Sequence, residues 1–458
     1  MNQSLPSTAE ELFDECPRFR ILTLGKAGVG KTALIKNVFK VEKLLCSDKE
    51  PGKCNIRDEI HSSENTRFVL HDCQGFEPGE TDKFNKVKGF IQQRAQEPEI
   101  KDQLHAIWLC IQIPNAGDRL IEPGAVEFLK LPFGDVPVIV VFTHYDKIYK
   151  ETLDKLGSSK LGTLEENQRT ILVEQETEKY FRAEYADLLK QLGHSPKTLG
   201  WIKVSTRDDY QHTLNDLVQT TYKLIPNGAA ESIRVALATA QRVDVDLKVV
   251  NTTRVGTSMK GYWHGLASSI PFTKKLIREC LDLIHKDIVK IWNFSDPGMI
   301  LEDGDLKFMT LGLVQNLANP GTTNPDSGYL LAEGINFSRK LGDWYSGVYT
   351  NTPSTLRRLM GYIVDVTIVL EQLFWDKAAQ PQKSTVSADD VEKVFGLYAD
   401  SKEFVEQVHG EIQSYVDSMN LIDTSHPDST HEEVERLIRA HRRNLTGAKK
   451  PAESPHVG

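Results

Sequence analysis

Along the first half of the chain, short β-branched and apolar runs alternate with longer stretches of helical spacing, the pattern of a parallel α/β sheet. The runs predict strands at Phe19–Leu24, Ile56–His61, Arg67–His71, Ala106–Ile113, Val136–Thr143 and Trp201–Ser205. Several are apolar throughout, as strands covered on both faces are. Ser62-Ser63-Glu64-Asn65 separates the second run from the third and predicts a hairpin, which gives the sheet one antiparallel edge. Past Pro226-Asn227-Gly228 the strand pattern stops, and Ser232–Val250 and Phe272–Trp292 carry apolar residues at helical spacing. A looser stretch rich in glycine, proline and asparagine, Asn293–Thr355, follows. Leu356–Trp375 then reads as a helix nearly all apolar around Asp365, either central to a core or docked on a partner. Ala378-Ala379-Gln380-Pro381 reads as a linker, followed by amphipathic helices at Ala388–Met419 and Thr430–His441 and a polar tail from Gly447, expected to be disordered.

The expected fold is α/β, a mostly parallel sheet flanked by helices, followed by a mostly α-helical C-terminal region. The expected segments are a 1–17 extension, an 18–225 α/β domain, a 226–378 helical domain, 379–445 C-terminal helices and a 446–458 tail. A chain of 458 residues is long enough for two or three domains. The net charge of -9 argues against a sequence-independent nucleic-acid binder. Six cysteines without a C-x-x-C pair argue against a zinc site or a disulfide framework, and predict free thiols in a reducing compartment. No signal architecture opens the chain, and no apolar run approaches the ~18 residues that span a bilayer. The expectation is a cytoplasmic protein without a transmembrane segment.

Chemistry concentrates at the ends of the predicted strands. Gly25-Lys26-Ala27-Gly28-Val29-Gly30-Lys31-Thr32 fits G-x-x-x-x-G-K-[ST] between a strand and the helix Ala33–Phe39. Glycines let backbone wrap phosphates, helix N-terminal amides supply positive partial charge, Lys31 bridges the β and γ phosphates and the Thr32 hydroxyl is placed for Mg²⁺. Asp72-Cys73-Gln74-Gly75 ends the next strand, where an acidic residue serves Mg²⁺ and the Gly75 amide meets the γ-phosphate. Thr143-His144-Tyr145-Asp146 ends the strand Pro137–Phe142. A carboxylate at Asp146 can accept both N1–H and the exocyclic amine of guanine, donors that adenine lacks there. Ser205-Thr206 closes the last strand and supplies backbone amides to the base oxygen.

With these four elements in order, the first half of the chain resembles the P-loop G domains of the small-GTPase and translation-factor class, near the Era, septin and Ras branches. It is most similar to largely uncharacterised fungal G-domain-containing proteins. Thr143-His144-Tyr145-Asp146 resembles the [NT]-K-x-D guanine motif, with His144 in place of lysine. The resemblance implies GTP/GDP and Mg²⁺ as ligands, with Thr32 and Asp72 serving the metal, and a protein effector or a homodimer as partner. Two departures bear on mechanism: Val41–Ile60 contains no threonine to complete the Mg²⁺ shell, and Phe76 follows Gly75 where a water-positioning glutamine usually stands. Gln74 lies on the wrong side of Gly75. No catalytic residue is assigned, and slow hydrolysis by a nucleotide switch is expected. The alternatives are a septin-like, non-hydrolysing assembly protein and a membrane-remodelling GTPase.

Overall fold

The computed structural model describes residues 7–46, 55–74, 81–113, 123–131, 133–162, 165–184, 198–226, 230–257, 275–318, 339–350, 352–380, 385–419, 427–442 and 445. Its contacts divide the chain into two compact units: Glu15–Asp244, and Val245–Lys450 together with the N-terminal residues through Asp14. The first unit holds the sheet and the second is helical.

The sheet unit runs from the end of α1 (Thr8–Glu15) through β1 (Phe19–Gly25), α2 (Lys31–Phe39), β2 (Leu45–Cys46), β3 (Ile60–His61) and β4 (Phe68–Gln74). It continues with α3 (Thr81–Ala95), β5 (Ala106–Gln112), α4 (Pro123–Phe128), β6 (Val138–Thr143), α5 (Tyr145–Leu161), α6 (Glu166–Glu184), β7 (Leu199–Lys203), α7 (Gln211–Leu224) and α8 (Glu231–Ala240). The seven strands order as β2-β3-β4-β1-β5-β6-β7. β1, β4, β5, β6 and β7 pair in parallel, while β2–β3 and β3–β4 are antiparallel. The hairpin read from Ser62–Asn65 is there, with Ile60 opposite Leu70. The two-residue strand β2 was not legible, because a run so short has no periodicity.

Central strands are buried on both faces: every residue of β1 and of β6 is buried. Leu22, Leu24, Ile107, Leu109, Val140 and Phe142 line one face with Val87, Phe90 and Ile91 of α3. Arg20, buried in the middle of this apolar strand, is compensated by Glu59 at 2.5 Å and by His71 Nε2 at 3.0 Å.

The helical unit continues with α9 (Val245–Thr257), α10 (Ile277–Trp292), α11 (Ile300–Asp303), α12 (Leu306–Leu313), α13 (Arg339–Tyr345), α14 (Pro353–Ala379), α15 (Ala388–Asp400), α16 (Lys402–Ser418) and α17 (Pro427–Ala440). α14 is buried almost end to end and forms the centre of this core, which resolves the choice left open for Leu356–Trp375. Its fully buried Asp365 accepts from Tyr398 Oη at 2.7 Å and pairs with His409 Nε2 at 2.9 Å. Ser7 Oγ donates to buried Asp287 at 2.6 Å, fastening the start of α1 to α10.

Several expectations are corrected. Ser232–Val250 is two helices, α8 and α9, with the division of the two compact units falling between them. Gln241 makes the break: its Oε1 accepts from the amides of Val243 (2.8 Å) and Asp244 (2.7 Å), replacing helical acceptors. Ala388–Met419 is likewise two helices, parted at Ser401. The stretch read as loose contains α11, α12 and α13, and the helix of α14 runs on to Ala379, into the supposed linker. Cys16, Cys73, Cys110 and Cys280 are free thiols, but Cys46 is disulfide-bonded. Half-buried at the end of edge strand β2, Cys46 is reachable by another sulfur, and C-x-x-C spacing is only one way to bring two together. The tail from Gly447 lies outside the described residues. Among the described residues no helix is long and apolar enough to cross a membrane.

Candidate functional site

The C-terminal ends of β1, β4 and β6 and the turn after β7 lie along one edge of the sheet, where ligands bind in open α/β folds. Gly25, the last residue of β1, has φ +146°, and a Cβ there would sit 2.4 Å from the Cys110 carbonyl oxygen of β5. Only glycine lets β1 turn into the loop so close to its neighbour. Gly28 and Gly30 also take positive φ, +82° and +93°. Lys26, Ala27 and Gly28 are exposed, Val29 is buried, and Gly30 sits at the N-cap of α2. No side chain caps α2, so its N-terminal donors face out of the loop.

Lys31 turns back over this loop. Its Nζ donates to the carbonyls of Gly25 (2.6 Å) and Lys26 (3.0 Å) and lies 3.9 Å from Asp72 Oδ1. Thr32 is exposed on the first turn of α2. Asp72, near the end of β4, accepts from the Thr23 hydroxyl at 2.8 Å; Thr23 and Asp72 are register partners across β1 and β4. Thr23, a polar residue within a buried apolar strand, was missed in the sequence, although its alternation with Gly25 puts it on the loop's face. Gly75 lies outside the described residues, and with it the segment at Phe76.

The other half of the edge is tied to the loop. Thr143 Oγ1 donates to the Val29 carbonyl at 2.8 Å. His144 follows with φ +60°, and its Nε2 is 3.7 Å from where a Gly30 Cβ would stand. Burial first, then the nearby Lys147 cation, lowers the pKa of His144, while Asp146 opposes them. Asp146, nearly buried, accepts from Ser205 Oγ at 2.8 Å and pairs with Arg207 Nε at 2.9 Å. Ser205 is fixed in turn: its amide donates to Thr213 Oγ1 at 3.1 Å. Thr206 is half-buried beside it. Arg207, also missed, is largely exposed and free to leave the carboxylate; its signal was a basic residue directly after Ser205-Thr206.

Gly25 to Thr32, Asp72, Thr143, His144, Asp146, Ser205 and Thr206 therefore come together from four separated stretches of sequence. The Lys31 ammonium sits within the loop, the Asp72 carboxylate stands 3.9 Å from it, and the buried Asp146 carboxylate, with one exchangeable partner, closes the far end. No curated protein matches the chain. Residues 271–452, most of the helical unit, match the family described as Domain of unknown function (DUF8505).

Proposed function

We propose that this chain is a Mg²⁺-dependent guanine-nucleotide-binding protein of the P-loop class that hydrolyses GTP slowly and works as a switch. The observation that carries the reading is Lys31, whose ammonium lies inside the glycine-rich turn on the Gly25 and Lys26 carbonyls, 3.9 Å from Asp72. A cation held by neutral carbonyls next to one carboxylate exchanges those acceptors for phosphate oxygens at small cost. The residues fit such a ligand: the Gly25 position leaves no room for a side chain, and the N-terminus of α2 carries no side-chain cap.

Gly25, Lys26, Ala27, Gly28, Val29, Gly30, Lys31 and Thr32 would hold the phosphates, and Thr32 and Asp72 the metal. Bound Mg²⁺ supplies charge neutralisation on the phosphate oxygens. Thr23 orients the Asp72 carboxylate. Asp146, with Thr143, Ser205 and Thr206, reads guanine: Ser205 keeps one carboxylate oxygen aligned while the base donors replace Arg207. Arg207 is the exposed partner of this pair and returns to water when it leaves, while the buried Asp146 exchanges one donor for another, so its carboxylate is not left unpaired. His144 covers Gly30 as an imidazole with a lowered pKa rather than as the ammonium of the usual motif. Hydrolysis is slow because Phe76 occupies the position that orients water in faster enzymes.

Titration of the purified chain with labelled GTP, GDP and ATP, with and without Mg²⁺, tests the proposal. The parent is expected to bind both guanine nucleotides and to discriminate against ATP, and Lys31→Ala to lose most of that binding. Equal affinity in parent and Lys31→Ala, or equal affinity for ATP and GTP, overturns it.

A further inference from the structure

The helical unit contains a buried arginine that no acid among the described residues answers. Arg358, on the second turn of α14, is only 7% exposed. Its neighbour Arg357 is neutralised by Asp417. Among the described residues no carboxylate reaches Arg358. Its guanidinium instead lies over the indole of Trp344 in α13, 4.7 Å from the ring centroid. The positions one helical turn away, Ser354, Thr355, Gly361 and Tyr362, carry no charge, and the Tyr362 hydroxyl is engaged with His285 Nδ1 at 2.7 Å. Burial lowers the proton affinity of Arg358, and no acid among the described residues offsets that effect.

Two buried donors in this pair have no acceptor among the described residues: Arg358 Nε and Trp344 Nε1. The indole face stabilises a cation through its quadrupole but accepts no hydrogen bond along the guanidinium edge. Desolvating a fixed positive charge without a counter-charge is costly, and buried donors left without acceptors add to that cost. Both groups are donor-only at every polar atom, so a ligand that satisfies them must present acceptors, and the uncompensated guanidinium charge favours an anionic one. The planar fork of arginine selects a carboxylate or phosphate oxygen pair over a spherical anion.

We propose that Trp344 and Arg358 form a receiving site for an oxyanion, a phosphate or carboxylate group, in the helical unit. The site is independent of the nucleotide reading of the glycine-rich loop: it lies in the other compact unit and uses none of the same residues. The stacked indole keeps the guanidinium in one orientation, so the fork is ordered before the anion arrives. The anion then removes the desolvation deficit that Arg358 carries alone.

The six tryptophans make the test direct, because each indole N–H gives one ¹H–¹⁵N resonance and Trp344→Phe identifies the relevant one. The full chain is titrated with inorganic phosphate and, separately, with acetate, chloride being exchanged to hold ionic strength constant. The Trp344 resonance is expected to move along a saturable curve, and the apparent affinity to fall at least tenfold in Arg358→Met. A saturable response to phosphate alone assigns a phosphate-type ligand, and one to acetate as well assigns the carboxylate class. If Arg358→Met folds poorly, Arg358→Lys serves instead: it keeps the charge, loses the fork and is expected to weaken the response. Phosphate bound at the glycine-rich loop acts equally on parent and variant, so the difference between them isolates this site. No saturable shift with either anion, or a shift unchanged by removal of the guanidinium, overturns the proposal.

Discussion

Ser205 Oγ donates to Asp146 Oδ1 at 2.8 Å, so the end of β6 and the turn after β7 share one carboxylate. That bond leaves Oδ2 facing Arg207 and fixes which oxygen is exchangeable. Asp146→Asn turns an acceptor into a donor at that point. Affinity for GTP is expected to fall roughly a hundredfold, about 3 kcal/mol, and xanthosine triphosphate to gain affinity. Melting should move little, since asparagine still accepts from Ser205 through its amide oxygen and the exposed Arg207 returns to water. Competition binding with the two nucleotides checks this, and an unchanged preference for GTP would reduce Asp146 to a helix cap.

Gly25 and Gly28 both take positive φ, yet only one is crowded. A methyl at Gly25 meets the Cys110 carbonyl at 2.4 Å, while nothing lies within 4 Å of one at Gly28. Gly25→Ala is expected to cost about 3 kcal/mol and Gly28→Ala about 1 kcal/mol, the latter from backbone strain alone. Chemical denaturation of the sheet unit's transition separates them; equal losses would mean that β1 and β5 part easily at the loop.

Acid should destabilise the protein through three buried histidines. His71 donates from Nδ1 to the Ile56 carbonyl (2.8 Å) and accepts at Nε2 from Arg20 (3.0 Å). His105 accepts at Nδ1 from the Arg20 amide (2.8 Å) and donates from Nε2 to Ile100 (2.8 Å). His285 accepts at Nδ1 from Tyr362 and donates from Nε2 to Leu301, both at 2.7 Å. Each is therefore held neutral, and burial pulls each down to about 4. Unfolded histidine titrates near 6.5, so below that pH the unfolded chain binds more protons than the native one. Stability is full above about 6.5 and is lost as pH falls toward 4, by up to about 3 kcal/mol per histidine. Denaturation midpoints between pH 7 and 4 test this. A flat profile, or a change that persists undiminished in both His285→Gln and His105→Gln, would sink it.

Asp365 is the buried charge on which the helical core turns. Removing its partner by His409→Ala leaves a carboxylate with one donor fewer, at an expected cost of about 3 kcal/mol. Tyr398→Phe removes a neutral donor and should cost about 1–2 kcal/mol. Asp365→Asn in the His409→Ala background should recover part of the loss, since a neutral amide is cheaper to bury. Thermal unfolding of the three variants distinguishes this ranking from simple loss of packing.

Much of the sheet was legible because its central strands are long and apolar, and Gly25, Asp72, Thr143 and the Ser205–Thr206 turn stand at or just past strand ends. Thr23 and Arg207 escaped because their roles depend on a neighbour: Thr23 on the β1–β4 register, Arg207 on the carboxylate of Asp146 across the edge. In the helical half, spacing gave the existence of helices but not their breaks. Gln241 and Ser401 end helices through local hydrogen bonds that apolar periodicity does not register. The choice between a core and a docking role for Leu356–Trp375 depended on partners distant in sequence, Tyr398 and His409, whose proximity no local pattern reveals.

The Gln241–Asp244 break is more than punctuation. Arg242 donates its amide to the Val38 carbonyl at 2.9 Å, and the Asn65 amide reaches both Phe39 (3.0 Å) and Ala240 (2.8 Å). The last turn of α2, the helix that begins in the glycine-rich loop, is thus stitched to the residues that immediately precede the helical unit. A protease given the intact chain finds this junction folded, not frayed, and should cut elsewhere first. For anyone dividing the protein, the seam lies after Asp244: a fragment stopped at Ile225 would strip α8 from the sheet, leave the Val38 carbonyl without the Arg242 amide and take the Ala240 acceptor from Asn65, a failure that says nothing about nucleotide.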